Sequence, residues 1–401
     1  MFIRELFVTG LCAAFFIIYL LVERYILSQR RQNIPLRICV TGTRGKSSVT
    51  RLIASCLREA GFVVLAKTTG SKPVIIFPDG EEKEIKRRGS ASILEEKKIL
   101  KISAKLQVQA LVLELMSIHP ENSYAESVQM LNPQILIITN VRPDHLAQMG
   151  SSREKIARCF VSSIPENCTV FVPEEEFFPV FKEAAGRMNS ELVQISRNYY
   201  RKYFESEQNL SSFEFEENIR LSLAVTEFLG VDREVALRGI KRVKPDFGSL
   251  KVWTKDFGSP PHRWHLVSGF AANDTESTRR ILSSLQKKNL FSGKEIVGLL
   301  NLRRDRGDRT IQWMKALKDG FFPEFQKIFF IGDHAHALKR KLRSTEKKEL
   351  FVLKTQAPQK IMVEISNKVK GEAVLVGMGN MGGFGQDLVE YWESVGRAYD
   401  V

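Results

Sequence analysis

The stretch Gly42-Thr43-Arg44-Gly45-Lys46-Ser47-Ser48 sets a lysine and two hydroxyls directly behind a glycine turn. Such a turn bares backbone N–H groups, the lysine adds a mobile positive charge, and the Ser47 hydroxyl suits a hard cation such as Mg2+. The chemistry is binding of nucleotide phosphates. It needs a strand before the turn and a helix after it. Leu36 to Val40 is a short apolar run, as a buried strand requires. Val49, Leu52, Ile53, Cys56 and Leu57 fall on one face of a helix, and Gly61 stands at its C-terminal end.

Two more groups stand at expected strand ends. Glu114 lies at the end of the apolar run from Ala110 to Met116, where a carboxylate is costly to bury unless paired or bound to metal. Thr139-Asn140-Val141-Arg142-Pro143-Asp144-His145 closes another apolar run, Ile135 to Thr139. In an open parallel sheet these ends face the ligand crevice. A lone Glu or His reads as structural; beside a phosphate loop in one sheet, Glu114 and His145 read as a magnesium and phosphate site.

The elements that must position these groups alternate along the chain. Strands are expected at Val63 to Ala66, Thr169 to Val172 and Leu192 to Ile195, then at His265 to Phe270, Glu295 to Leu300, Lys327 to Ile331, Leu350 to Leu353 and Ala373 to Val376. Asp79 to Gly89 is polar and reads as a surface hairpin or loop. Helices are expected at Ile93 to Gln107, after the capping-box pair Ser151 and Glu154, and at Asn218 to Leu229. The glycines and prolines of Lys244 to Pro261 mark a domain junction. The fold class is α/β with mainly parallel sheets in two domains, residues 36–248 and 262–401.

Leu6 to Val22 is an uncharged run of 17 residues. It suits one transmembrane helix within an anchor at residues 1–28. A cleaved signal peptide is disfavoured, because Glu-Arg-Tyr follows Val22 in place of small residues; a buried core helix is the other account. Arg24, Arg30, Arg31 and Arg37 follow the run and Arg4 alone precedes it, which leaves the bulk of the chain, with both domains, in the cytoplasm. The formal net charge is +14, which fits acidic substrates or an anionic membrane. No zinc-finger or RNA-binding signature appears, so the charge does not argue for nucleic acid. The five cysteines form no CxxC pair and read as reduced thiols.

The phosphate loop departs from the common P-loop at Val40, where that pattern has glycine. Its shortened form resembles the nucleotide loop of the Mur ligases and folylpolyglutamate synthases. Glu114-Leu115-Met116-Ser117 and Thr139-Asn140 with Asp144-His145-Leu146 are similar to further motifs of that family. The resemblance implies that Glu114 and His145 hold magnesium beside ATP and that Asn140 belongs to the nucleotide site. It also implies that Pro261-His262-Arg263 contacts phosphate, that Asn273 and Asp274 lie near the nucleotide, and that Asn218 lies on the adenine side. The family's carbamylated lysine has no counterpart at Phe160, and Glu276 replaces another of its lysines. The anchor, Lys67-Thr68-Thr69-Gly70, Gly269 to Asp274 and Asn301 to Thr310 most resemble the ligase subunit of poly-γ-glutamate synthases, the PgsB/CapB family. That resemblance implies a Mur-ligase-like central domain, a Rossmann-like C-terminal domain, and an ADP-forming γ-glutamyl ligase using ATP and Mg2+. Its partners would be glutamate, a growing poly-γ-glutamate chain and other membrane subunits of a capsule or polymer complex.

Arg303, Arg306 and Arg309 are either a solvated loop of ion pairs or a clamp for the carboxylates of such a substrate. Gly377, Gly379 and Gly382 mimic a dinucleotide fingerprint, but too little chain follows for its second strand, so they read as a tight strand-to-helix turn. The rival functions are a membrane-anchored P-loop ATPase that drives export, and a folate- or cyanophycin-type ligase.

Overall fold

Leu36–Thr41 (β1) is the axis of the first sheet, lying parallel between β5 (Ala110–Glu114) and β6 (Ile135–Ile138) in the computed structural model. The structure describes residues 2–70, 72–87, 89, 91–143, 146–150, 152–199, 215–342, 348–355 and 357–399. β2 (Val64–Thr68) runs parallel to β5, and β7 (Thr169–Pro173) and β8 (Glu191–Ile195) extend the far edge in parallel. β3 (Val74–Ile76) and β4 (Glu82–Glu84) add an antiparallel hairpin at the other edge, giving the order β4-β3-β2-β5-β1-β6-β7-β8 among the described residues. β5 and β6 are buried along their whole length, which is why they read as unbroken apolar runs. Val40 pairs with Glu114, and Thr41 with Ile138. The phosphate turn, Glu114 and the Thr139 loop therefore leave the sheet at one end.

Contacts divide the chain into two units, with a break between Lys244 and Pro245. In the second unit β10 (His262–Ser268), β14 (Ala373–Gly379), β11 (Glu295–Leu302), β12 (Lys327–Gly332) and β13 (Glu349–Val352) run parallel. β9 (Lys251–Phe257) pairs antiparallel with β10, and β15 (Arg397–Ala398) antiparallel with β9. Both faces are packed, one through Val267, Leu300, Phe330 and Val376, the other through Trp264, Leu299, Phe329 and Leu375.

Two expectations need correction. The stretch Lys244 to Pro261 is not all junction, since Val252 and Trp253 of β9 are core residues of the second sheet. The prolines and glycines flank that strand and hid it. The helix Arg153–Val161 is capped by Ser152, whose hydroxyl accepts the Lys155 N–H at 3.3 Å, while Ser151 lies outside the described residues.

The N-terminal helix α1 (Phe2–Gln32) carries one segment, Arg4–Gln32, long and apolar enough to cross a membrane, with mean hydropathy 2.3 over its most apolar 18 residues. Its last turns dock on the first unit. Lys97 of α3 (Glu95–Lys105) pairs with Glu23 at 2.6 Å, Leu27 packs on the core, and Arg31 donates to the Gln129 carbonyl at 3.2 Å.

Candidate functional site

The phosphate turn owes its shape to two glycines and to the loop after β6. Gly42 and Gly45 have φ of +120° and +78°. A Cβ would lie 2.2 Å from Thr139 Oγ1 at Gly42 and 2.5 Å from Asn218 Oδ1 at Gly45. The Thr43 N–H donates to the Asn140 carbonyl at 3.0 Å and the Arg44 N–H to Asn140 Oδ1 at 3.0 Å. Asn140 Nδ2 returns a bond to the Arg44 carbonyl at 2.9 Å, which also accepts the Thr139 hydroxyl at 2.6 Å. Asn140 thus holds the turn from below. Lys46 Nζ folds back on the Gly42 carbonyl at 2.9 Å. Helix α2 (Lys46–Glu59) starts there with no side-chain cap, so its N-terminal N–H groups, Ser48 among them, are placed for an anion.

Glu114 is 3% exposed. Its Oε2 accepts the Ser47 hydroxyl at 2.7 Å and the Thr69 N–H at 2.6 Å, and among the described residues no lysine or arginine pairs with it. A buried carboxylate held by neutral donors alone is under-compensated. A carboxylate and a hydroxyl are hard oxygen donors, and they fit a magnesium-like ion that keeps most of its water. His145 lies outside the described residues, as does Asp144, and among those described no group of three or more His, Cys, Asp or Glu stands ready for a metal.

The rim of the turn is braced by ion pairs. The Arg142 N–H meets Thr43 Oγ1 at 3.1 Å, and its guanidinium pairs with Glu217 at 2.9 Å. Glu176 accepts the Val141 N–H at 3.1 Å and Arg153 at 2.5 Å, while burial pushes its carboxyl above the usual range. Asn218, on the helix Glu216–Phe228, is buried against Gly45.

In the second unit the C-terminal strand ends form a cleft of about 600 Å³ lined by Asn301, Arg303, Arg304, Asp305, Asp333 and Gly382, among others. Gly379 has φ of +92°, and a Cβ there would lie 2.4 Å from the Asn301 carbonyl. Asn301 Nδ2 donates to the Asn380 carbonyl at 2.6 Å, and Asn380 Nδ2 to the Asn301 carbonyl at 3.1 Å. Arg303 reaches the cleft and forms a two-bond pair with Asp305 at 3.0 and 2.8 Å. Arg306 is half-buried where the helix Gly307–Lys318 begins.

Arg309 does not share the surface of Arg303. It is 6% exposed and donates to Asn380 Oδ1 at 2.9 Å, bracing the glycine turn. Nor does Arg263 sit at the cleft. It lies near the start of β10, opposite Asp256 of β9, with its side chain 65% exposed and 3.6 Å from that carboxylate. Five steps along the strand separate it from Ser268, roughly 17 Å at 3.3 Å per residue. Asn273 and Asp274 do follow β10, and Asp274 caps the helix Thr275–Lys287 through the Ser277 N–H at 2.8 Å.

Thr69 was visible only as part of a motif at a strand end, because its contribution is a backbone N–H. Glu176 and the Asn301–Asn380 pair carry no sequence signal, since their partners are distant along the chain.

Comparison with known proteins bears on the family and the fold. The Mur ligase middle domain model matches residues 40–243, and the poly-gamma-glutamate synthase CapB C-terminal domain model matches residues 254–395. The capsule biosynthesis protein CapB of Bacillus anthracis is 30% identical over 97% of this chain and 83% of its own. The PGA synthase CapB of Bacillus subtilis (strain 168) is 30% identical over 94% of this chain and 95% of its own. Among solved structures, E. coli FolC in complex with DHPP and ADP superposes with a TM-score of 0.65 at 14% identity, covering 93% of this chain and 92% of that one. MurF from Acinetobacter baumannii gives 0.62 at 17% identity, covering 92% and 80%.

Proposed function

The chain belongs to the Mur ligase family, in its poly-γ-glutamate synthase CapB branch, and we propose that this ATP-dependent amide ligase adds glutamate to a growing γ-glutamyl chain. The observation that carries the reading is the buried Glu114 carboxylate, bonded to Ser47 of the phosphate turn and to no basic side chain among the described residues. That is a site for a nucleotide with a divalent cation, and FolC, one of the structural neighbours, is solved with ADP.

In this reading the turn and the first N–H groups of α2 cradle the phosphates of ATP, and Lys46 leaves the Gly42 carbonyl to meet the γ-phosphate. Ser47 and Glu114, with His145 by family resemblance, hold Mg2+. When bound, the ion offsets charge on the transferring phosphoryl group. The carboxylate of the acceptor chain attacks the γ-phosphorus, the bond to the bridging oxygen breaks, and ADP leaves. The amine of glutamate then attacks the acyl phosphate carbon. Phosphate departs with the bonding pair and the ammonium proton passes to solvent. The cleft with Arg303 receives an acidic amino acid or the acceptor end, because a guanidinium fork matches a carboxylate.

Purified membranes given ATP, Mg2+ and labelled glutamate should yield γ-linked polymer and ADP together. ATP turnover that ignores glutamate and forms no amide would overturn this assignment in favour of an export ATPase. In this reading α1 anchors the enzyme in a membrane, the arginines after the apolar run keep its ligase domains in the cytoplasm, and other membrane subunits are its partners.

A further inference from the structure

Behind the strand ends that carry Thr69 and Glu114 lies a buried polar cluster. Lys67, Glu96 and Glu126 are each fully buried. Lys67 pairs with Leu113 in the β2–β5 register, one residue from Glu114, so strand alternation sends its side chain to the opposite face of the sheet. There its ammonium bonds Glu96 of α3, with Glu95 at 3.8 Å. Glu126 rises from the π-helical segment Tyr124–Leu131 and takes one amide on each oxygen, Met116 N–H at 3.0 Å and Ser117 N–H at 3.0 Å.

The two chain segments that meet at the Glu114 carboxylate are each gripped a few residues away. Lys67 stands two residues before Thr69, and Met116 two residues after Glu114. Apolar residues would fill this space at lower desolvation cost. Fixed geometry at the strand ends is what the buried charges supply instead. We propose that Lys67, Glu96 and Glu126 are positioning residues that hold the Glu114 carboxylate and the Thr69 N–H against Ser47, and so set the affinity of the metal site. The proposal rests on the ligase reading of that site.

The test uses the full-length protein with ADP present and no turnover. Mn2+ binding is followed by electron paramagnetic resonance, and thermal unfolding is recorded alongside. Glu126→Gln keeps the shape but turns an NH2 group toward one of the two amides. It should raise the Mn2+ dissociation constant about tenfold, the scale for residues that orient metal ligands, and leave ADP affinity within about twofold. The double variant Lys67→Met with Glu96→Leu replaces the pair by apolar groups, which is often neutral for stability. It should unfold near the wild-type temperature and still bind Mn2+ more weakly. Wild-type Mn2+ affinity in both variants would overturn the positioning role and leave the cluster as packing. Loss of Mn2+ binding in Glu114→Gln, with both cluster variants normal, would refute this proposal alone. Wild-type Mn2+ affinity in Glu114→Gln would refute the site itself.

Discussion

The Glu114 carboxylate accepts the Ser47 hydroxyl at 2.7 Å, although 67 positions separate the two residues. Glu114 ends β5 and Ser47 lies in the first turn of α2, and they meet because Val40 and Glu114 share a register position in the β1–β5 pair. The strand thus aims the carboxylate at the hydroxyl of the phosphate turn.

Glu114→Gln should therefore lower ATP-dependent ligation by at least about 100-fold, the scale for removing one charge-stabilising group from a site. Stability should change little, because an amide oxygen still accepts from Ser47 or Thr69. Steady-state ADP release at saturating Mg2+ measures the first effect and thermal unfolding the second. Activity within threefold of wild type would remove Glu114 from the site.

Gly42→Ala forces a side chain into a left-handed position and against Thr139. It should cost about 1–3 kcal/mol of stability and abolish nucleotide binding. Gly61→Ala is the control. Its φ is +86°, but nothing lies within 4 Å of the added Cβ, so it should lose some stability and keep full affinity for a fluorescent ATP analogue.

The two arginines of the second unit should separate cleanly. Arg309→Ala strands the buried Asn380 Oδ1 and should cost about 1.5–3 kcal/mol of stability. Arg303→Ala removes an exposed pair with Asp305, which contributes little to stability, and should instead raise the KM for glutamate or acceptor. Because exposed charges are screened over about 8 Å at physiological salt, added salt should mimic Arg303→Ala for the acceptor more than for ATP. A KM effect confined to Arg309→Ala would reverse the assignment.

Glu96 has its carboxyl pushed up to about 7 by burial, with Lys67 pulling the other way and the nearby Glu126 and Glu95 adding to the rise. The folded state therefore holds this proton more tightly than the unfolded chain does. Its stabilising contribution is complete below the unfolded pKa near 4.5 and is lost as pH rises through about 7. Denaturant unfolding of wild type and Glu96→Gln across pH 4.5–7.5 should show wild type losing stability relative to the variant as pH rises. The opposite slope would mean that Lys67 dominates.

Protease added to intact cells should leave residues beyond Gln29 whole, and carbonate washing should leave the protein in the membrane. Digestion of the large domains without lysis would invert the topology.

The local sequence decided the strand, turn and helix of the phosphate site, the buried parallel strands, the apolar first helix and the strand-end position of Glu114. Each depends on neighbouring residues, through apolar runs, glycine spacing and helical periodicity. Long-range pairing decided the rest. β9 was hidden because its flanking prolines and glycines look like a linker until β10 pairs with it. Arg309 read as a carboxylate ligand from its run of charges, yet the packing of Asn380 consumes it. The grip of Glu126 on Met116 and Ser117 had no linear signal at all. A carboxylate's partner across a fold is set by which elements pack together, and only the tertiary structure carries that information.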